Sequence, residues 1–240
     1  MTEQALILAG GLGTRLGDIT RDLPKPMVPV GDKPFLEWLL DHLGSYGIKN
    51  FVLCVGHRAD KIQEYFADGS AWGYKIQYSF EKELLGTGGA IKQARGLLHD
   101  RFFVVSGDNY LTLDYRDFDD RFDASRFIGL LACWRNSPPL FRSNVKLSED
   151  RRIIEAYDYI NPAGKDYVDS GIKLFSKALF DYFESDVKFS LEVDVLAKIA
   201  AEGGLQAYPI AEPPLDVGTP DGLANVREKL LRTSRRTHVS

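Results

Sequence analysis

Residues 6–16 read LILAGGLGTRL, an apolar run suited to a buried strand that is broken by Gly10, Gly11 and Gly13 and followed at once by Arg15. A strand that ends in glycines exposes backbone N–H groups at the carboxyl edge of a sheet, where the ligands of open α/β sheets sit. Glycine lets the main chain approach a ligand closely. Successive N–H groups then form a concavity for phosphate oxygens, and a guanidinium adds a planar, permanently charged fork that matches phosphate. The stretch reads as a polyphosphate cradle. Taken alone, it reads equally as a glycine-rich turn with an exposed arginine. No Lys-Ser/Thr follows at the phosphate-loop spacing, and GLGTRLG is not the dinucleotide G-x-G-x-x-G.

Working outward, ALILA (5–9), FVLCV (51–55) and FFVV (102–105) are continuously apolar, the pattern of strands covered on both faces. Between them Leu36, Leu39, Leu40 and Leu43 recur at helical spacing, as do Ile91, Ala94, Leu97 and Leu98. Alternation of this kind predicts an α/β fold, Rossmann-like and doubly wound, with a mostly parallel sheet. The second half adds strands at FIGLLACW (127–134), NVKL (144–147) and YVDSGIKLF (167–175), which make the sheet mixed. Ser190 is placed to cap a helix carrying Leu191, Val195, Leu196 and Ile199, and Thr219-Pro220 to open a last one. With no linker, composition break or repeat, residues 1–240 read as one domain. About 1–110 and about 111–225 form its two halves, the second with a small lobe, and 232–240 a frayed tail.

Four further clusters carry chemistry. DLPKPMVPV brackets Lys25 between prolines, which predicts a stiff, extended tether aiming a point charge, or else a plain surface loop. VVSGDN (104–109) puts Asp108 at the carboxyl edge of a buried strand, and PLDVGTPDG puts Asp216 before another glycine turn. Magnesium takes one or two carboxylates and completes its shell with phosphate and water oxygens; separately, each aspartate also fits a turn or cap. EKELLGTGGAI (81–91) carries Gly86, Gly88 and Gly89 into a helix expected from Ala90, as the wall of a nucleobase pocket or as a flexible connection.

The 240 residues are 44% hydrophobic and 27% charged, ordinary for a globular chain. A net charge of −4 argues against a nucleic-acid surface. Cys54 and Cys133 lie in apolar runs and match no zinc or redox spacing, so both are expected buried and free. No opening signal sequence and no run of membrane-spanning length is visible, which predicts a cytoplasmic protein. His42 is expected to be solvated, His57 to be a loop residue and the tryptophans to make core or subunit contacts; a homo-oligomer stays open.

In this order the five pieces resemble the sugar-1-phosphate nucleotidyltransferases. The signature L-A-G-G-x-G-T-R-L stands at Leu8 to Leu16 and P-K-P at Pro24 to Pro26. The two metal aspartates match Gly107-Asp108 and the segment Asp216 to Pro220. The resemblance spans about residues 5–225 and implies that about 1–110 are the nucleotide-binding half and about 111–225 the sugar-binding half. It implies Mg²⁺ on Asp108 and Asp216, catalytic roles for Arg15, Lys25 and Asp108, and a nucleotide held by Leu8, Ala9, Gly10, Gly11, Gly13, Thr14, Arg15, Glu83, Gly86, Thr87, Gly88 and Asp108. EKELLGTGGAI looks like the loop of mannose- and heptose-1-phosphate guanylyltransferases, which favours GTP as the nucleoside triphosphate. VDSGIKLF resembles the segment contacting the sugar 1-phosphate, so Asn109, Asn144, Asp158, Asp169 and Gly171 are the expected sugar contacts. One departure stands out: many members carry a Glu-Lys pair where this chain reads Asp158-Tyr159. No hexapeptide repeats follow, so no acetyltransferase tail is expected. A nucleotide-binding relative without turnover is the competing reading. A dinucleotide-dependent dehydrogenase lacks both its glycine spacing and the acidic residue ending its second strand.

Overall fold

The computed structural model describes residues 1–11, 13, 16, 20, 23–184 and 188–237. The first half runs β1 (Gln4–Leu8), the short pair β2 (Pro29–Val30) and β3 (Lys33–Pro34), α1 (Phe35–Ser45), β4 (Asn50–Val55), α2 (Ala59–Phe66), β5 (Lys75–Phe80), α3 (Gly86–Gln93), β6 (Arg101–Ser106) and β7 (Asn109–Tyr110). Next come α4 (Tyr115–Asp120), β8 (Gly129–Arg135), β9 (Val145–Leu147), β10 (Ile154–Tyr157), β11 (Tyr167–Ser176), α5 (Leu196–Ala201), β12 (Leu205–Ile210), β13 (Leu215–Asp216) and α6 (Pro220–Thr237).

β5, β4, β1 and β6 are parallel neighbours in that order. Antiparallel β11 continues the sheet beside β6, antiparallel β8 joins β11, and β12 closes that side parallel to β8. β9 pairs with β10 and meets the start of β11, so the two extend the same sheet past β11. The doubly wound expectation holds, with the sheet mixed as anticipated. Successive residues of a strand face opposite ways, and both faces are apolar here. Ala5, Ile7, Phe103 and Val105 pack under the α1, α2 and α4 residues Leu39, Leu43, Ile62 and Phe118. Leu6, Phe102 and Val104 pack under Ala90, Ile91, Leu196 and Ile199 of α3 and α5.

A third cluster ties the ends of the chain together. Val28, Val30 and Phe35 pack against Val217, Leu223, Val226 and Leu230. α6 opens as expected, with the Gly222 amide donating to Thr219 Oγ1 at 3.1 Å. It continues to Thr237, past the start of the stretch read as a frayed tail. Cys54 and Cys133 are buried and free. Among the described residues no helix is long and apolar enough to cross a membrane.

Candidate active site

β1 and β6 end side by side, and their ends touch: the Gly107 amide donates to the Leu8 carbonyl at 3.0 Å. A Cβ at Gly107 would lie 2.6 Å from that same oxygen, so only glycine permits the approach. The next residue, Asp108, therefore leaves the sheet at its carboxyl edge. β7 then pairs antiparallel with β13, setting Asn109 opposite Asp216, and the Val217 amide donates to the Asp108 carbonyl at 2.9 Å. Two aspartates separated by 108 positions are brought to one point in this way. Lys25 marks that point: its ammonium lies 2.5 Å from Asp108 Oδ2 and 3.7 Å from Asp216 Oδ1.

Lys25 is 7% exposed and begins a 3₁₀ turn, Lys25–Met27, rather than the extended segment its prolines suggested. Only Pro24 is extended. At the start of a turn the missing N–H of Pro26 costs nothing and its fixed φ suits the turn, so the same prolines close the backbone instead of stretching it. Gly13 lies directly beside it, where a Cβ would meet Lys25 Cβ at 3.0 Å.

Two cavities share this point. The first, of about 400 Å³, is lined by Leu8, Ala9, Gly10, Gly11, Lys25, Glu81, Gly86, Thr87 and Asp108 among others. The second, of about 340 Å³, is lined by Thr87, Ser106, Asp108, Asn109, Asn144, Tyr159, Asp169, Gly171, Lys173, Glu192 and Asp216. Thr87, Ser106 and Asp108 line both, so the two cavities adjoin at these residues. Two carboxylates facing one cation, open to two ligand cavities, are also a donor set that suits Mg²⁺. Among the described residues no cluster of three or more His, Cys, Asp or Glu side chains could hold a metal.

Of the residues expected to hold a nucleotide, Leu8, Ala9, Gly10, Gly11, Gly86, Thr87 and Asp108 line the first cavity. Thr14 and Arg15 lie outside the described residues. Glu83 is exposed and does not line the cavity; Glu81 does. Glu81 extends the β5 ladder through its amide, which donates to Val55 O at 2.8 Å, and its carboxylate accepts from the Leu85 amide at 3.0 Å. Burial raises the Glu81 pKa and the Leu85 hydrogen bond partly offsets that. The clue in the sequence was Gly10, whose absent side chain admits Glu81: a Cβ there would meet Glu81 Oε1 at 2.6 Å.

The glycine loop starts its helix earlier than expected, at Gly86 instead of Ala90. Its glycines make room for Phe189. Both Gly88 and Gly89 amides donate to the Phe189 carbonyl, and a Cβ at Gly86 or Gly88 would strike Phe189 within 2.5 Å. Gly86 also has φ +73°, a left-handed conformation that glycine adopts freely. Gly88 is thus buried in packing and does not line the cavity.

On the other side, Asn109, Asn144, Asp169 and Gly171 line the second cavity as expected. Asp158 does not; its Oδ1 accepts from the Ile160 and Asn161 amides, both 2.9 Å away, closing a turn. Those backbone hydrogen bonds lower its pKa. Its neighbour Tyr159, 54% exposed, lines the cavity in its place. Sequence reading also passed over Lys173 and Glu192. Lys173 is 3% exposed, 2.9 Å from Asp169 Oδ2 and 3.8 Å from Glu192 Oε1. Burial alone would depress the Lys173 pKa, but Asp169 and Glu192 outweigh it and hold it above the ordinary value. His42 is half-buried, hydrogen-bonded to the Leu111 carbonyl at 3.1 Å and packed on Tyr46, Tyr110 and Tyr115, not solvated. The segment carrying β7 covers the helix face that composition alone left open.

The model of the family described as nucleotidyl transferase matches residues 4–233, nearly the whole chain. This chain belongs to the nucleotidyl transferase family. Among relatives of this transferase, the D-glycero-alpha-D-manno-heptose 1-phosphate guanylyltransferase of Campylobacter jejuni is 36% identical over 189 residues, 79% of this chain and 83% of that one. The enzyme of the same name from Aneurinibacillus thermoaerophilus is 31% identical over 95% of this chain and 98% of its own. The crystal structure of HddC from Yersinia pseudotuberculosis, complexed with GMP-PN, aligns with a TM-score of 0.81 at 30% identity, covering 95% of the transferase and all of that chain.

Proposed function

We propose that this transferase condenses GTP with a heptose or mannose 1-phosphate, giving a guanosine diphosphate sugar and pyrophosphate. One observation carries the reading: two cavities that share Thr87, Ser106 and Asp108 in their walls, with Asp216 and Lys25 converging on Asp108. The guanine preference rests on the relatives, two of which are guanylyltransferases by name and one of which is a structure with GMP-PN.

The difficulty of this reaction is repulsion, because a phosphate oxygen must attack the α-phosphorus of a polyanion. Each like-charge pair near 4 Å costs about 4 kcal/mol at an effective dielectric near 20. The nucleophile is already ionised at neutral pH, so the site needs no base, and catalysis is positioning with charge neutralisation. GTP occupies the first cavity, its phosphates along the amides of Gly10 and Gly11 and its base toward Gly86, Thr87 and Glu81. The sugar lies in the second, against Asn109, Asn144 and Tyr159. Lys25 keeps a fixed positive charge between them. Asp108 and Asp216 would hold Mg²⁺, which supplies further neutralisation where the two phosphates meet. Arg15 is assigned to the leaving pyrophosphate.

The test is a pyrophosphate-release screen of four nucleoside triphosphates against a panel of sugar 1-phosphates. GTP with D-glycero-α-D-manno-heptose 1-phosphate or mannose 1-phosphate should give the highest kcat/KM. A tenfold preference for another base would overturn the guanylyl assignment, and no release with any pair would overturn the enzymatic one.

A further inference from the structure

Resting on the proposed reaction, we infer that the ammonium of Lys173 grips the phosphate of the incoming sugar 1-phosphate. Among its described lining residues the second cavity carries four carboxylates, Asp108, Asp169, Glu192 and Asp216, and a single cation, Lys173. Its substrate brings further negative charge into that space, and Asp108 and Asp216 already face Lys25. The cationic contact available on the remaining wall is therefore Lys173.

The strand explains how it gets there. Ile172 and Leu174 of β11 point into the core beneath α1, so Lys173 faces the opposite side, toward the cavity. Gly171, at φ +82°, and the register shift between Asp169 and Lys173 turn the strand just before it. An ammonium has three N–H donors. Asp169 Oδ2, 2.9 Å away, takes one, whereas Glu192 Oε1 at 3.8 Å lies beyond hydrogen-bond length. Buried donors are nearly always satisfied, and Lys173 lines the second cavity. The surroundings serve to hold the amine. Asp169 also accepts from Tyr157 Oη at 2.9 Å and from the Gly171 amide at 3.0 Å, so little of its capacity is left for a sugar hydroxyl. Glu192 is in turn fixed by Thr87 Oγ1 and Ser190 Oγ, and Thr87 lines both cavities. Folding alone gives no reason to keep such a cluster, since an apolar replacement of similar size is commonly as stable or more so.

The test compares mannose 1-phosphate with free mannose in the wild-type enzyme, Lys173→Met, and Lys173→Met combined with Asp169→Asn. The double variant leaves no unpaired buried Asp169, so it carries the test if the single one fails to fold. With one charge-assisted hydrogen bond lost, KM for mannose 1-phosphate should rise about 10- to 100-fold. KM for GTP and the inhibition constant of free mannose should stay within about threefold, a limit set well below the tenfold that one such bond is worth. Equal weakening of mannose and mannose 1-phosphate would reduce Lys173 to a residue that orients the cavity wall, and would overturn the assignment. So would an unchanged KM, or recovery of the wild-type ratio in the double variant. Wild-type enzyme without turnover on any substrate pair would instead sink the proposed reaction, which the same plate reveals.

Discussion

Gly107→Ala isolates the role of strand-end contact in catalysis, because it alters no charge and adds one methyl group whose nearest neighbours are backbone atoms at the end of β1. The new Cβ would sit 2.6 Å from the Leu8 carbonyl oxygen and 3.3 Å from Ala9 Cα, both backbone atoms that no rotamer change can move. Reaching even the shortest tolerated contact requires the ends of β1 and β6 to part by several tenths of an ångström, stretching the 3.0 Å hydrogen bond between Gly107 and Leu8. Overpacking of this kind costs about 1–3 kcal/mol, which lowers Tm by roughly 3–10 °C for a chain of this size. The larger effect falls on Asp108, the next residue. Misplacement of a reacting group by up to an ångström costs up to about 10²-fold, so kcat should fall roughly 10- to 100-fold while KM for GTP changes little. Steady-state pyrophosphate release with a thermal melt of the same preparation measures both. A variant with wild-type Tm and kcat within twofold would refute the claim that this contact aims Asp108.

Other outcomes follow from the same geometry. Asp108→Asn and Asp216→Asn should each lower kcat by about two orders of magnitude, the worth of one transition-state electrostatic contact; either variant within threefold of wild type loses its place in the metal pair. Burial holds the thiols of Cys54 and Cys133 above their ordinary range, so neither should alkylate at pH 8 in the native protein and both should in denaturant, as read by intact mass. Burial lowers the His42 pKa from 6.5, the Leu111 carbonyl partly opposing it. The unfolded chain then binds a proton that the fold refuses, so stability is full above about pH 6.5 and declines below it. His42→Gln should flatten the slope of Tm against pH in that window, and an unchanged slope would deny the assignment.

The parallel centre was legible because its strands are buried on both faces. ALILA, FVLCV and FFVV carry no polar interruption, and each became a strand. β5 was passed over for the converse reason: KIQYSF lies at the sheet edge, with Lys75 and Phe80 exposed, and alternates polar with apolar residues instead of forming a continuous apolar run. Lys25, Asp108 and Asp216 could be named individually from proline and glycine context. Their convergence was implied only by the family resemblance, since physically it depends on β7 pairing with β13 more than a hundred residues away. Glu81 and Glu83 are two positions apart and chemically identical; only the approach of Gly10 to one of them decides which faces the cavity. Lys173 was hidden within a strand otherwise read as a sugar-contacting segment, because a lysine's burial depends on partners, Asp169 and Glu192, that the fold alone brings to it.

How the site stays assembled follows from which packing holds each part. Asp108 rides on β6, locked into the central sheet by Leu8 and by the two large cores. Asp216 belongs to neither of those cores, while the Lys25 turn is shared: Leu23 and Met27 pack into the first core and Val28 into the third. They flank the third cluster, where Val28, Val30 and Phe35 on the lysine side meet Val217, Leu223, Val226 and Leu230 on the aspartate side. One small apolar contact surface therefore holds the second carboxylate toward the cation, whose own turn is anchored in the first core as well. Leu223, 1% exposed and outside the lining of both cavities, is part of that surface. Its truncation to alanine removes about 2–5 kcal/mol of packing, and the loss falls on the pairing of β13 with β7 before it reaches the sheet.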